Sequence, residues 1–201
     1  MYCLNHRLSK DIDIFFNDRQ YLNFFLPSLN DYLEDISIDY HFLSNFIKIG
    51  IGEQQELDFI IAKNITRIEP TTEIIDGHSI RMDSPCEIIA KKIFYRYENF
   101  TVRDVFDLAT VYNFESQKLI SSLSVVNKDI FVSLLKRIQD MNQNTRIKQQ
   151  LDNIARLPGS KAIEGREFAL SIEFTNIMCS RDPEHSDSDI ENIEHRPDIR
   201  P

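Results

Sequence analysis

The chain has 201 residues, 42% of them apolar and 27% charged, with a formal net charge of −9. That length holds one domain with a substantial core, or one domain with an appendage, and excludes a larger assembly of domains. The acidic balance argues against non-specific coating of nucleic acid, no apolar run is long enough to cross a bilayer, and the N-terminus lacks the basic-then-apolar order of a signal peptide, so the expected location is the cytoplasm.

The first predicted element lies in "RLSKDIDIFFND", a strand in which Asp11 and Asp13 share one face while Ile12 and Ile14 share the other. Two carboxylates this close repel, and a divalent cation is the usual compensator. Surface aspartates on an edge strand, helped by Lys10 and Arg7, are the plainer account of the same spacing. "DRQYLNFFLPSLNDYLEDI" then carries apolar residues at helical spacing, with Asp18 as its cap and Pro27 as a kink or boundary. "IDYHFLSNFIKIGI" and "QELDFIIA" read as two strands by their branched and aromatic content, separated by a turn in the region of Gly50 to Gln55. In the second of them Glu56 and Asp58 share a face, which repeats the geometry of Asp11 and Asp13. Neighbouring strands with carboxylates on one face suit Mg²⁺, although ordinary polar alternation explains Glu56 and Asp58 as well. "TEIIDGHSIRM", with Asp76-Gly77 between apolar pieces, is a hairpin signal.

From Ser84 the apolar period changes to that of helices, in "SPCEIIAKKIFYRYE", "TVRDVFDLATVYNF", "NKDIFVSLLKRIQDMN" and "TRIKQQLDNIARL". Pro158-Gly159 ends that run, and "EGREFALSIEFTNIM" adds one more helix. Ser84, Pro85 and Glu87 fit N-cap, N1 and N3 of a capping box. On the wheel Ile89, Ala90, Ile93 and Tyr97 form the buried stripe. Lys91 lies four residues beyond Glu87 on one flank, and Lys92 on the other flank is left to meet a phosphate. Thr101 caps the next helix, whose Asp104 and Asp107 face across towards Lys92 or Arg96, while Val105, Leu108 and Ala109 line the core. A local basic patch of Lys91, Lys92, Arg96 and Arg103 is compatible with the acidic total.

The expected fold is therefore α+β: a mixed sheet with flanking helices over residues 1–83, a helical region over 84–178, and a proline-punctuated acidic tail over 179–201 with too few apolar residues to order. Cys3, Cys86 and Cys179 are odd in number, far apart and outside any CxxC, so reduced thiols are expected. His6, His41, His78, His185 and His195 show no metal-ligand spacing and read as surface or loop residues. Gly50-Ile51-Gly52 is a turn fragment rather than a phosphate loop.

Taken in order, "RLSKDIDIFF", "ELDFI", "SPCEIIAKKIFYR" and "RDVFDLA" resemble the successive motifs of the nucleotidyltransferase AbiEii/AbiGii toxin family, within the DNA polymerase β-like nucleotidyltransferase superfamily. The resemblance implies a nucleotidyltransferase-like sheet and an Mg²⁺-dependent toxin of a bacterial toxin–antitoxin, abortive-infection system. It implies transfer of a nucleotide from an NTP to an RNA, with tRNA the acceptor class, and a cognate antitoxin as partner. Asp11, Asp13 and Asp58 then match the metal-binding carboxylates, Lys92 the lysine of the helix after the sheet, and Asp104 the acidic residue of the last motif. Arg7, Ser9, Lys91 and Lys92 fall to nucleotide and phosphate binding, with Glu87, Arg103 and Asp107 in support. The superfamily motif opens on a Gly-Gly or Gly-Ser turn ahead of the arginine, and here Met1 stands only six residues before Arg7, so an N-terminally truncated member is expected. Cys86 stands where many relatives carry a second glutamate. The other readings are a catalytically impaired member that keeps the fold as a binding module, and a metal-dependent nuclease.

Overall fold

A computed structural model describes residues 4–52 and 55–181. The described chain divides into two compact units: residues 9–64, and residues 4–8 together with 65–181. The division falls at 64/65 rather than at 83, because the hairpin after residue 70 and the N-terminal segment both belong with the helices. Most of the expected tail, residues 182–201, lies outside the described residues.

The smaller unit is a four-stranded mixed sheet made of β1 (Ile12–Phe16), β2 (Ser37–Leu43), β3 (Phe46–Ile51) and β4 (Gln55–Ile61), in the order β1-β4-β3-β2. Only the β1/β4 pairing is parallel. Two-residue periodicity sorts each strand into faces. Ile14 and Phe16, Ile47 and Ile49, and Leu57, Phe59 and Ile61 go to the apolar face, where they pack with Leu22, Phe25, Leu26, Leu33 and Ile36 from the segment between β1 and β2. Phe25 stacks on Phe59 at 4.4 Å and on Phe16 at 5.1 Å between centroids. The opposite face carries Asp13, Lys48, Glu56 and Asp58.

That covering segment is not the single kinked helix its spacing predicts. It forms 3-10 turns at Arg19–Phe25 and Pro27–Leu29 and a short helix α1 (Asp31–Ile36). Asp18 does cap the first turn, accepting from the Gln20 amide at 2.9 Å. Pro27 has no N–H to continue a helix, and Asn30 opens a new one by accepting from the Leu33 amide at 3.1 Å. "IDYHFLSNFIKIGI" is likewise two strands rather than one: β2 and β3 form an antiparallel hairpin that turns at Ser44-Asn45, without the Gly or Pro that marks most turns.

The larger unit holds the hairpin β5 (Thr71–Ile75) and β6 (His78–Met82), and helices α2 (Pro85–Arg96), α3 (Val102–Ser122), α4 (Lys128–Gln143), α5 (Thr145–Asp152) and α6 (Glu167–Ser180). The β5/β6 turn is Asp76-Gly77, both at positive φ (50° and 81°), as a two-residue hairpin of matching twist requires. Ile89, Ala90, Ile93, Val105, Leu108 and Ala109 enter its core as their wheels predict, joined by Phe106, Phe131, Leu134 and Phe174; Tyr97 is only half-buried. The α3 capping box closes: Thr101 accepts from the Asp104 amide and Asp104 accepts from the Thr101 amide. At α2 only half of the box forms. Ser84 accepts from the Glu87 amide at 3.1 Å, while the Glu87 carboxylate turns to the chain at Ile65 and Thr66.

The N-terminal residues are stitched to the loop after α5. Arg7 forms a β-bridge with Arg156, the Leu157 amide donates to the His6 carbonyl at 2.9 Å, and the Leu8 amide donates to the Ala155 carbonyl at 3.2 Å.

Candidate functional site

Among the described residues the candidate side chains gather in two polar clusters, one in each unit. In the smaller unit the polar face of the sheet is set by register. Asp13 is the partner of Asp58 across β1/β4, and Lys48 is the partner of Asp58 across β3/β4. Three strands thus place Asp13, Asp58 and Lys48 in one row on one face. The Lys48 ammonium lies 2.6 Å from Glu56 Oε2 and 3.3 Å from Asp58 Oδ2. The second Asp58 oxygen, Oδ1, is buried and has no hydrogen-bond partner.

Burial pushes the Asp58 carboxyl above its usual range; Lys48 opposes that shift and the neighbouring Asp13 charge adds to it. For Lys48 burial works against the charge, but hydrogen bonds and attraction from Glu56 and Asp58 outweigh it and hold the ammonium above its usual range. Asp11 precedes the first paired residue of β1 and is exposed. Among the described residues no group of three or more His, Cys, Asp or Glu side chains is gathered to hold a metal ion by itself. Mg²⁺ does not need one, because it commonly takes one or two carboxylates and completes its shell with water and substrate phosphates. The adjacent Asp13 and Asp58, with one buried carboxylate oxygen unsatisfied, fit that mode of binding.

In the larger unit α2 and α3 face each other with complementary charge. Lys92 donates to Asp107 Oδ2 at 2.5 Å and lies 2.9 Å from Asp104 Oδ1, and Arg96 pairs with the same Asp104 oxygen. Asp107 also receives Arg7, Nε at 2.6 Å and a terminal nitrogen at 2.8 Å, and His6 Nε2 lies 2.7 Å from it. Both aspartates are fully buried. His6 stacks on Phe106 with ring centroids 5.6 Å apart, and the Arg156 guanidinium lies 5.2 Å from the centre of that ring. Burial alone would raise the carboxyls. Lys92 and Arg96 overcome it at Asp104; Lys92, Arg7 and His6 hold Asp107 well below the usual carboxylate range. Burial also works against the Lys92 charge, and the two aspartates keep that ammonium above its usual range.

The sequence reading is met at Asp104 and Asp107, which do face Lys92 and Arg96. It is corrected at Lys92, which is not free for a phosphate: its ammonium already serves two buried carboxylates. Arg7 is committed to Asp107, and Lys91 to Asp83 at 2.6 Å and more loosely to Glu87 at 3.7 Å, so three of the four residues of the expected basic patch, Lys91, Lys92 and Arg96, are engaged in ion pairs. Ser9 and Arg103 are exposed. Glu87 is a buried anchor, accepting from the Ile65 amide at 2.9 Å, the Thr66 amide at 2.8 Å and the Thr66 hydroxyl at 2.6 Å. His6 is buried, not a surface residue. Lys48 was missed because only strand register aligns it with Asp58. His6 carries no local signal, its burial depending on Phe106 far along the chain.

Over residues 1–178 the sequence matches the family described as nucleotidyl transferase AbiEii toxin, type IV TA system. The chain belongs to the AbiEii family. As an AbiEii member it is a nucleotidyltransferase toxin of a type IV toxin–antitoxin system, a class that implies a cognate antitoxin. All four motifs and both polar clusters lie within the matched span. Among solved structures, a candidate nucleotidyltransferase from H. pylori aligns at a TM-score of 0.46 and 16% identity, over 89% of this chain and 80% of that one. JHP933 from Helicobacter pylori aligns at a TM-score of 0.44 and 16% identity, over 89% and 78%. No curated protein matches. No helix among the described residues is long and apolar enough to cross a membrane.

Proposed function

We propose that this AbiEii chain transfers a nucleotide from an NTP to an RNA acceptor, tRNA being the class, with Mg²⁺ held by Asp13 and Asp58. One observation carries the reading: the two aspartates are register partners on a single sheet face, and one buried oxygen of Asp58 is unsatisfied. When bound, Mg²⁺ would neutralise the triphosphate and stabilise charge on the transferred phosphoryl group. Asp13 and Asp58 Oδ1 offer the carboxylate oxygens. Asp11 lies exposed just ahead of the strand and is not gathered with them into a three-acid group. In the helical unit Asp104 and Asp107 hold Lys92 charged and fixed, so these residues act by positioning rather than as open phosphate ligands. Catalysis of this kind rests on positioning and charge neutralisation more than on covalent chemistry.

The test is transfer of an α-labelled NTP to RNA in the presence of Mg²⁺. Asp13→Ala abolishes labelling on this account, and full labelling by that variant overturns the assignment. The commitment of Lys92 to two carboxylates favours one second reading, a binding module that keeps the fold without transfer. In that case NTP with Mg²⁺ produces no thermal shift, whereas a competent site is stabilised by its ligand. RNA shortened without added NTP would point to a nuclease instead.

A further inference from the structure

Lys48 lies outside the four motifs that carry the family resemblance, yet it is in direct contact with the half-buried carboxylate of Asp58 in the proposed metal pair. Its ammonium bridges two acids that share a face of β4, closer to Glu56 Oε2 (2.6 Å) than to Asp58 Oδ2 (3.3 Å). Glu56 is the more exposed of the two acids, its side chain 43% accessible against 18% for Asp58. An ammonium has three protons to give, and the long lysine stem lets it move between acceptors without moving the backbone. Drawing Lys48 wholly onto Glu56 would release Asp58 Oδ2 beside the already unsatisfied Oδ1. A divalent cation seated on Asp13 and Asp58 would meet a positive charge beside it, in the same row of the sheet.

We propose that Lys48 is a positioning residue that competes with an incoming divalent cation for Asp58, with Glu56 as the acceptor that takes Lys48 when the cation binds. The inference rests on the metal reading given above. It gives the site a preference: a bare cation must displace Lys48 against like-charge repulsion, whereas a cation carried by a triphosphate arrives with negative charge that the ammonium favours. Lys48 thus biases loading towards the metal–nucleotide complex.

The experiment titrates Mn²⁺ into the full chain without nucleotide and follows the electron-spin-resonance signal of free Mn²⁺. The proteins are wild type, Lys48→Gln, Lys48→Thr, Glu56→Gln, Asp13→Asn and, as a surface-charge control, Lys136→Gln. Both Lys48 variants should bind Mn²⁺ about three- to fivefold more tightly, the size expected of one half-exposed ion pair. Glu56→Gln should bind it several-fold more weakly, and Lys136→Gln should match wild type. A merely structural lysine predicts weaker binding in the Lys48 variants. Unchanged or weaker Mn²⁺ binding by a folded Lys48 variant, with Asp13→Asn still impaired, overturns the role of Lys48 and leaves the metal pair standing. Wild-type Mn²⁺ binding by Asp13→Asn removes the metal pair itself, and the Lys48 proposal with it.

Discussion

Replacing Asp107 with Asn keeps the shape of the side chain and removes its charge at the centre of the helical unit's ion-pair cluster. The two carboxylate oxygens of Asp107 accept from His6, twice from Arg7, and from Lys92. An asparagine oxygen can keep His6 and Arg7 Nε, but its amide nitrogen would set a donor against Lys92 and the Arg7 terminal nitrogen. Two charge-assisted hydrogen bonds are lost, at about 1.5–3 kcal/mol each. Part is recovered because Arg7 retains some contact with water and Lys92 keeps Asp104. A net loss of about 3–4 kcal/mol follows, within the range for breaking a buried pair and a large share of the ~5–15 kcal/mol that stabilises a typical domain.

The pH dependence follows from the direction of the shift. The folded carboxyl of Asp107 lies well below its unfolded value, so its stabilisation is complete above the unfolded pKa of about 3.9 and is lost as pH falls from there towards the folded value. Urea unfolding followed by circular dichroism should therefore give a gap that narrows as pH falls below about 4. Hydrogen exchange should show faster opening of residues 4–8 in the variant, because His6 and Arg7 lose their buried anchor. A gap below about 1 kcal/mol at pH 7, or one that does not narrow in acid, would mean that Asp107 is not the buried ionised anchor of this cluster.

Three further outcomes test local features. Thr101→Ala removes the side-chain half of the α3 capping box and should cost about 1 kcal/mol in a thermal melt, with Thr101→Ser restoring most of it. Gly159→Ala would drive its new methyl onto the carbonyl oxygens of Leu4 and Asn5, so limited proteolysis should cut the N-terminal segment faster than in wild type. The Cys86 thiol is fully buried, and that burial together with Glu115 pushes it up to about 12. Native protein at pH 8 should leave Cys86 unmodified by iodoacetamide while urea-unfolded protein reacts, as mass spectrometry of the peptide will show.

The α+β class, the helices after residue 84, the Asp76-Gly77 turn and the α3 capping box were legible in the sequence because each is decided by residues close along the chain. The β2/β3 hairpin was not, since Ser44-Asn45 carries neither Gly nor Pro and the apolar run around it reads as continuous. The unit boundary was also hidden: a hairpin placed before helices looks like part of the sheet until its packing is known. At the candidate site, alternation was enough to put Asp58 and Glu56 on one face, and helical spacing was enough to aim Asp104 and Asp107 at Lys92. What spacing cannot report is competition for a charge. Spacing aimed both aspartates at Lys92 without showing that they occupy its ammonium, Arg7 and His6 reach Asp107 from a hundred residues away, and Lys48 joins Asp58 only through strand register.

Nucleotide transfer supported by Asp13 and Asp58 can be read by mass spectrometry of tRNA after incubation with Mg²⁺, each NTP in turn, and either wild-type protein or Asp58→Asn. Wild type should add a mass increment of one or more nucleotides and Asp58→Asn none, with unchanged helical content in the variant. The same increment from folded Asp58→Asn would contradict that role of Asp58.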